Sequence, residues 1–135
     1  MGLFDFFKNG TNKQFVSEPS FEQNVIKQIR MTPLTMKELR KIDVAEEREL
    51  KLEYFFYTNS LQKANSLAQE LRKLDYQVEV RLSASSKKLF LVTGWTTQMG
   101  MEDEIVASWT KKMCEVGYDF DCEFDGWGTT PDQSY

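Results

Sequence analysis

Four acidic residues alternate with apolar ones near the end of the sequence: Asp119, Asp121, Glu123 and Asp125. In an extended strand alternate side chains point to the same face, so these four would form one acidic ladder. Carboxylates bind hard divalent cations, and a carboxylate pair can act as general acid and base. Neighbours on one strand face lie about 7 Å apart, too far for one cation to bridge easily. The pattern therefore favours a solvated acidic face, with a partner-binding stripe and a metal or catalytic site as alternatives.

The sequence contains no histidine and only two cysteines, Cys114 and Cys122. Histidine is the usual general base, metal ligand and activator of Ser or Cys nucleophiles, so hydrolase triads and histidine-based metal sites are excluded. The cysteines lack the Cys-x-x-Cys spacing of zinc and redox sites and are interpreted as reduced, mostly buried thiols. We predict no cofactor, no metal and no enzymatic activity.

Trp127 lies between two glycines, directly after the acidic stretch. Flanking glycines let the backbone turn sharply, so the indole can either fold back over the open end of the core or be presented to a partner. Tryptophan is favoured in interface hot spots, and charged rims steer association. We predict that Trp127 and the neighbouring Asp121, Glu123 and Asp125 belong to one functional surface.

Aromatic residues of the predicted sheet suggest a second candidate surface. Phe55, Tyr57, Phe90 and Val92 are predicted to share the sheet face opposite the helices. RNA-recognition domains stack bases on such a face, but the basic-Gly-aromatic run that accompanies it is absent. We expect this face to be covered by the N-terminal helices or by a second subunit of a homodimer, with peptide binding as the next interpretation.

The length and charge of the chain narrow the class of protein. A chain of 135 residues is the size of one domain, and no apolar run approaches the roughly 20 residues that cross a bilayer. The opening residues do not fit a signal peptide, so we expect a cytoplasmic protein. The net charge is −4, and the last 23 residues hold six acids and no base. Such a chain repels phosphate, and direct nucleic-acid binding is not expected.

The first third of the sequence is predicted to be an extension of the domain. Residues 1–19 hold an aromatic cluster and a polar, Gly- and Pro-containing stretch that is typical of a flexible leader. Residues 20–48 have a helical period, with a first helix capped by Ser20 and ended by Pro33. A second short helix is predicted from Thr35, with Glu38 as its capping-box partner.

From Glu49 onward the periodicity predicts strands and helices in the order β-α-β-β-α-β. Leu50, Leu52, Tyr54 and Phe56 are predicted to form the buried face of the first strand. Asp103 is the predicted cap of the second helix, and Gly117 its end. The order predicts an α+β fold, a ferredoxin-like sandwich with an antiparallel four-stranded sheet, two helices on one face and strands one and three in the centre. The domain spans 49–130, and 131–135 form a tail.

Two segments of this domain resemble a known family. The last strand runs into Phe124-Asp125-Gly126-Trp127-Gly128-Thr129, and the first βαβ unit begins Glu53-Tyr54-Phe55-Phe56-Tyr57. Both are similar to the regulator of ribonuclease E activity B (RraB) family, whose members end their fold in a closely similar Asp-Gly-Trp-Gly-Thr segment. The resemblance covers roughly Glu46 to Thr129.

The resemblance implies a ferredoxin-like fold and a protein that inhibits ribonuclease E by binding outside its catalytic centre, without cutting RNA itself. This chain departs from the family in its aromatic leader, in the basic residues of its helical extension and in its serine-rich hairpin turn. The predicted partner-binding residues are those of the two candidate surfaces: Asp121, Glu123, Asp125, Trp127, Phe55 and Tyr57. The alternative function is a single-stranded RNA-binding module that uses the open sheet face.

Overall fold

A computed structural model describes residues 13–86 and 88–133. These residues form helices α1 (Glu18–Lys41), α2 (Leu61–Arg72) and α3 (Asp103–Asp119), and strands β1 (Glu49–Leu50), β2 (Glu53–Thr58), β3 (Gln77–Leu82), β4 (Phe90–Trp95), β5 (Met99–Gly100) and β6 (Glu123–Gly128). None of the helices in this part of the chain combines the length and the apolar composition that a membrane span requires.

Four strands form an antiparallel sheet in the order β3-β4-β2-β6. The predicted α+β class is confirmed, and the two strands predicted to be central, β2 and β4, are central. The short strands β1 and β5 pair separately, with Leu50 opposite Met99. The last strand, β6, reaches the sheet by pairing with β2, so the two ends of the domain meet in one sheet.

The core lies between the sheet and the helices on one of its faces. Side chains alternate along β2, and the predicted buried face is confirmed because Leu50, Leu52, Tyr54 and Phe56 are fully buried. Ser60 caps the start of α2, and the middle residues of this helix are buried against the sheet. Leu61, the first residue of α2, and Leu74, which follows its end, are about half exposed.

The N-terminal extension is one helix and not two. Ser17, not Ser20, is the cap, and α1 continues through Pro33, so the predicted break there is wrong. Proline costs the helix one hydrogen bond, but contacts with α3 offset the loss. Thr32 Oγ1 donates to the Gln28 carbonyl (2.9 Å) and lies 3.2 Å from Thr110 Oγ1 on α3. The helix packs beside α3 and next to β6. The expected coverage of the opposite sheet face by N-terminal helices is therefore wrong.

The helix α3 begins at Asp103, and its N-cap residue is Glu102. The prediction of Asp103 as the cap is therefore wrong by one residue. Val106, Trp109 and Met113 are buried, whereas Ile105 is 41% exposed. No side-chain hydrogen bond caps the start of α3. The helix is stabilised instead by packing of one face against the sheet and α1.

Gly117 does not end α3, which continues to Asp119. The chain reverses at Asp121, which has φ 58, and the Cys122 N–H donates to the Gly117 carbonyl (2.8 Å). This is the hydrogen-bond pattern of a left-handed helix terminator. Gly117 has a different role: a Cβ there would lie 2.8 Å from the Phe56 ring. It is therefore required for the close approach of α3 to the sheet.

Both cysteines are free and buried, as predicted. Burial raises the pKa of Cys114 and of Cys122 to about 12, and nearby Glu115 and Glu123 add to the shift at Cys114. We expect the folded protein to react with iodoacetamide at pH 8 at least about 100-fold more slowly than the urea-unfolded chain, because the thiolate is the nucleophile. Equal rates in the two states would contradict the burial of these thiols.

The same pKa shifts make stability depend on alkaline pH. The folded protein keeps both thiols protonated while the unfolded chain loses these protons near the ordinary pKa of 9.0. The stabilising contribution is therefore complete below pH 9 and is lost as the pH rises toward 12. Denaturant midpoints measured between pH 7 and pH 11 should fall only above about pH 9, and a fall that begins below pH 8 would contradict this assignment.

Candidate functional site

Phe55 and Tyr57 lie on the sheet face opposite the helices, where they were predicted. Tyr57 pairs with Leu91 of β4 on one side and with Glu123 of β6 on the other. Residues directly opposite each other on neighbouring strands share a face. The structure thus brings together three of the predicted site residues, Phe55, Tyr57 and Glu123. We call this surface the open sheet face; its strand residues are Glu53, Phe55, Tyr57, Gln77, Glu79, Arg81, Leu91, Thr93, Trp95 and Glu123.

Phe90 and Val92 do not belong to the open sheet face, and their predicted place there is wrong. Val92 pairs with Phe56 and is fully buried on the helix side. Leu91 and Trp95 take the predicted positions, since a shift of one residue moves a side chain to the other face of a sheet. Gly94 pairs with Tyr54, whose side chain lies in the core. Gly94 is therefore on the helix side of the sheet, and the next residue, Trp95, is on the open sheet face.

The open sheet face is aromatic in its middle and acidic toward its edges. Phe55, Tyr57 and Trp95 are each partly exposed. The strand residues of this face include three carboxylates and one guanidinium. The guanidinium is that of Arg81, which forms a salt bridge with Glu79 at 3.0 Å. The carboxylates are those of Glu53, Glu79 and Glu123. This arrangement can accept a segment that offers both apolar and basic side chains.

The predicted ladder of four acids on one strand face is wrong. Asp119 is the last residue of α3, and Asp121 is in the turn after it. Glu123 begins β6. Asp125 is exposed at a bulge, where the β6 register shifts opposite Phe55 and Phe56. Within the described residues, no group of three or more Asp, Glu or Cys side chains could hold a metal ion.

Asp121 binds the chain that precedes α1. Its Oδ1 accepts a hydrogen bond from the Val16 N–H (2.8 Å), and its Oδ2 accepts one from the Phe15 N–H (2.8 Å). Lys63 of α2 lies 2.6 Å from the same Oδ2 and donates to the Lys13 carbonyl (2.7 Å). We call Asp121 and Lys63 the N-terminal clamp. The carboxylate is largely buried and fully engaged, which removes it from any exposed acidic surface.

The clamp also changes the interpretation of the predicted leader, residues 1–19. Residues 1–12 lie outside the described residues, but Val16 is only 3% exposed. The residues just before α1 therefore belong to the packed structure. The composition of this stretch gave no sign of the contact, because the two backbone N–H groups bound by Asp121 carry no sequence signature.

Trp127 lies on the helix side of the sheet, apart from the acidic residues with which it was grouped. It pairs with Tyr54 across the strands, and its indole contacts the Trp109 ring edge to face, with centroids 6.3 Å apart. The preceding Gly126 has φ 135, a conformation that other residues rarely adopt. This glycine accompanies the bulge, and the single surface predicted for Trp127 and the acids is not formed.

Two comparisons with known proteins bear on this arrangement. The sequence model of the family described as Regulator of ribonuclease activity B, RraB, matches residues 34–129. The match runs from the last two turns of α1 through all six strands to the residue after β6. A search among curated proteins gives no match.

Proposed function

The chain belongs to the RraB family of regulators of ribonuclease activity, and on that premise we propose that it binds a ribonuclease E-type enzyme through the open sheet face and inhibits it. The observation that carries the proposal is the grouping of Phe55, Tyr57 and Glu123 on a sheet face that α1, α2 and α3 leave uncovered. The protein regulates the enzyme by binding to it in the cytoplasm, and it catalyses no reaction itself. The strand order supports a ferredoxin-like assignment of the fold.

The chemistry of the open sheet face favours a basic segment of the enzyme as its ligand. Partly exposed aromatic rings gain most from burial against a partner, and they are the side chains that most often anchor protein interfaces. Carboxylates on the same face attract Lys or Arg and repel other acidic surfaces. The enzyme segment that binds here should therefore carry aliphatic or aromatic residues with Lys or Arg beside them.

Substitution of the aromatic pair should weaken the complex strongly. We expect the double variant Phe55→Ala, Tyr57→Ala to raise the Kd for a purified ribonuclease E-type enzyme from the same host by about 30-fold or more, because interface anchors cost about 2 kcal/mol or more on truncation. Isothermal titration measures the affinity, and an RNA-cleavage assay measures the inhibition of the enzyme. The matched control replaces the exposed Leu34 and Leu61, which lie on helices, with alanine. Unchanged affinity in the aromatic variant would refute the proposed surface.

The carboxylates should act mainly on the rate of association. Glu53→Gln with Glu123→Gln should slow binding about 5-fold at low salt and flatten its dependence on ionic strength, since rim charges steer encounter more than they hold the complex. Stopped-flow measurements between about 50 and 300 mM salt cover the range in which screening changes. An unchanged salt response would contradict the electrostatic part of the proposal.

Single-stranded RNA is the alternative ligand for the same face, because Phe55, Tyr57 and Trp95 resemble a base-stacking platform. The three carboxylates oppose it. Titration of an RNA oligonucleotide at low salt distinguishes the two ligands. Saturable binding to RNA that is lost in the Phe55→Ala, Tyr57→Ala variant would favour the alternative over the ribonuclease.

A further inference from the structure

A second candidate binding surface lies on the helix side of the molecule, across the sheet from the open sheet face. A pocket of about 580 Å³ opens between the end of α2, the exposed part of α3 and β5. Its apolar walls are formed by Leu74, Tyr76, Met99, Ile105, Trp109 and Met113. We call it the helix groove. Its volume is within the range of about 300–1,000 Å³ that is typical of ligand sites.

The two aromatic residues of the groove walls that carry polar atoms engage each other. The Trp109 Nε1–H donates to the Tyr76 hydroxyl at 3.1 Å, and burial raises the pKa of that hydroxyl. An occupant of the groove therefore needs apolar side chains. At the edges, Leu74 is 52% and Ile105 41% exposed, so covering them with such side chains would be favourable.

Charged residues lie around the apolar walls of the groove. Glu102 and Glu104 lie at one end, at the start of α3, and Lys112 lies further along the same helix. Asp103, between the two glutamates, pairs with Arg40 at 2.9 Å. In the described part of the chain, no salt bridge engages Glu102, Glu104 or Lys112. The carboxylate end of the groove is therefore available to a basic group.

We propose that the helix groove binds an amphipathic helix of a partner protein, with aliphatic residues on its inner face and Lys or Arg beside Glu102 and Glu104. Most of the groove lining comes from α3, whose backbone groups are hydrogen-bonded within the helix, and the strand at its wall, β5, has two residues, too few for an extended peptide to pair along. A helix satisfies its own backbone and can insert side chains at i, i+3, i+4 and i+7. This site is separate from the open sheet face and does not depend on the ribonuclease proposal.

A pair of synthetic peptides tests the proposal on the full chain. One is a 14-residue amphipathic helix with leucines on one face and lysines flanking them, and its matched control carries glutamate in place of each lysine. We expect saturable binding of the lysine peptide by NMR titration, with perturbed amides at Leu74, Ile105 and Met113. Its affinity should exceed that of the glutamate peptide about 10-fold or more. No binding up to about 1 mM, a limit of about −4 kcal/mol, would overturn the proposal.

Variants of the protein locate the site. Ile105→Asp places a carboxylate in the first turn of α3, where it suits the helix, and should lower the affinity for the lysine peptide about 10-fold or more. Leu34→Asp, at an exposed leucine on α1, is the matched control and should bind normally. Glu102→Gln with Glu104→Gln should remove most of the preference for lysine over glutamate. Full affinity in Ile105→Asp would overturn the assignment.

The aromatic variant of the open sheet face separates this inference from the proposed function. Phe55→Ala, Tyr57→Ala should bind the lysine peptide with unchanged affinity, because those rings lie across the sheet. Loss of peptide binding in that variant would place the peptide on the open sheet face and overturn the helix groove as the site.

Discussion

Replacing Gly94 with alanine should destabilise the domain by about 3 kcal/mol or more, the upper range for overpacking a tightly packed site. Gly94 pairs with Tyr54 on β2 and with Val78 on β3. The Tyr54 phenol crosses over it, and its hydroxyl donates to the Gln77 carbonyl at 2.7 Å. A Cβ on Gly94 would lie 1.7 Å from that carbonyl oxygen and 2.8 Å from the hydroxyl. The strands would have to separate, and denaturant unfolding would measure the loss.

Gly128→Ala is the matched control for this prediction. Gly128 is also a strand glycine of the same sheet, yet a Cβ there would meet nothing within 4 Å. Its substitution should leave the free energy of unfolding nearly unchanged. Adding Tyr54→Phe to Gly94→Ala removes the hydroxyl but not the contact with the Gln77 carbonyl, so we expect no rescue. Recovery of stability in that double variant would mean that the phenol alone fixes the need for glycine.

Asp121→Gly should destabilise the protein by about 2 kcal/mol or more, because it leaves Lys63 without its counter-charge and frees two backbone N–H groups. The side chains of Asp121 and Lys63 are 23% and 12% exposed, so solvent screens the pair only in part. Glycine tolerates the left-handed backbone at this position, which removes conformational strain from the comparison. Hydrogen exchange should show faster exchange at the Phe15 and Val16 amides.

Asp43→Gly is the control for the clamp. Asp43 has nearly the same backbone conformation, φ 67, and follows α1 in the same way that Asp121 follows α3. The Val44 N–H donates to the Leu39 carbonyl (3.0 Å), which matches the terminator at Asp121. Its substitution should leave stability unchanged or raise it slightly. Equal effects at the two positions would mean that the clamp contributes nothing beyond the backbone.

The order of the elements and the buried face of β2 were predictable, because local periodicity indicates both. Alternation identified Tyr54 and Phe56 as core residues of β2, and both are fully buried. These patterns arise from one buried side per element, which requires no knowledge of the partner element. The α+β class and the central position of β2 and β4 follow from the order of the elements.

The continuity of α1 was not predictable, because the contacts that hold it come from far along the chain. Pro33 is locally a helix breaker, but Phe21 stacks on Tyr118 with ring centroids 4.3 Å apart. Thr32 meets Thr110, 78 residues away in sequence. The periodicity of a single segment indicates which side of its helix is buried, but it does not indicate which other element packs against that side. Tertiary packing therefore outweighed the local signal.

The candidate site was only partly predictable for a similar reason. Phe55, Tyr57 and Glu123 lie together because β2 is regular and β6 pairs with it in register at that point. Asp121 continued the same alternation in sequence, although it sits in a left-handed turn that no glycine marks. Aspartate tolerates that conformation more readily than most residues, so the turn resembled a strand. The acidic ladder was a product of this coincidence.

The position of α1 beside β6 has a consequence for how the sheet behaves in a crowded solution. An outer strand offers unpaired backbone groups to other chains and is a common starting point for aggregation. At β6, Asn24 of α1 donates to the Phe124 carbonyl at 2.8 Å, and the register shift at Asp125 bends the strand. At the opposite border, β3 carries Glu79 and Arg81, charges that disfavour stacking of further strands. One border of the sheet is thus capped by a helix and the other guarded by charge, so intermolecular strand addition is opposed on both sides.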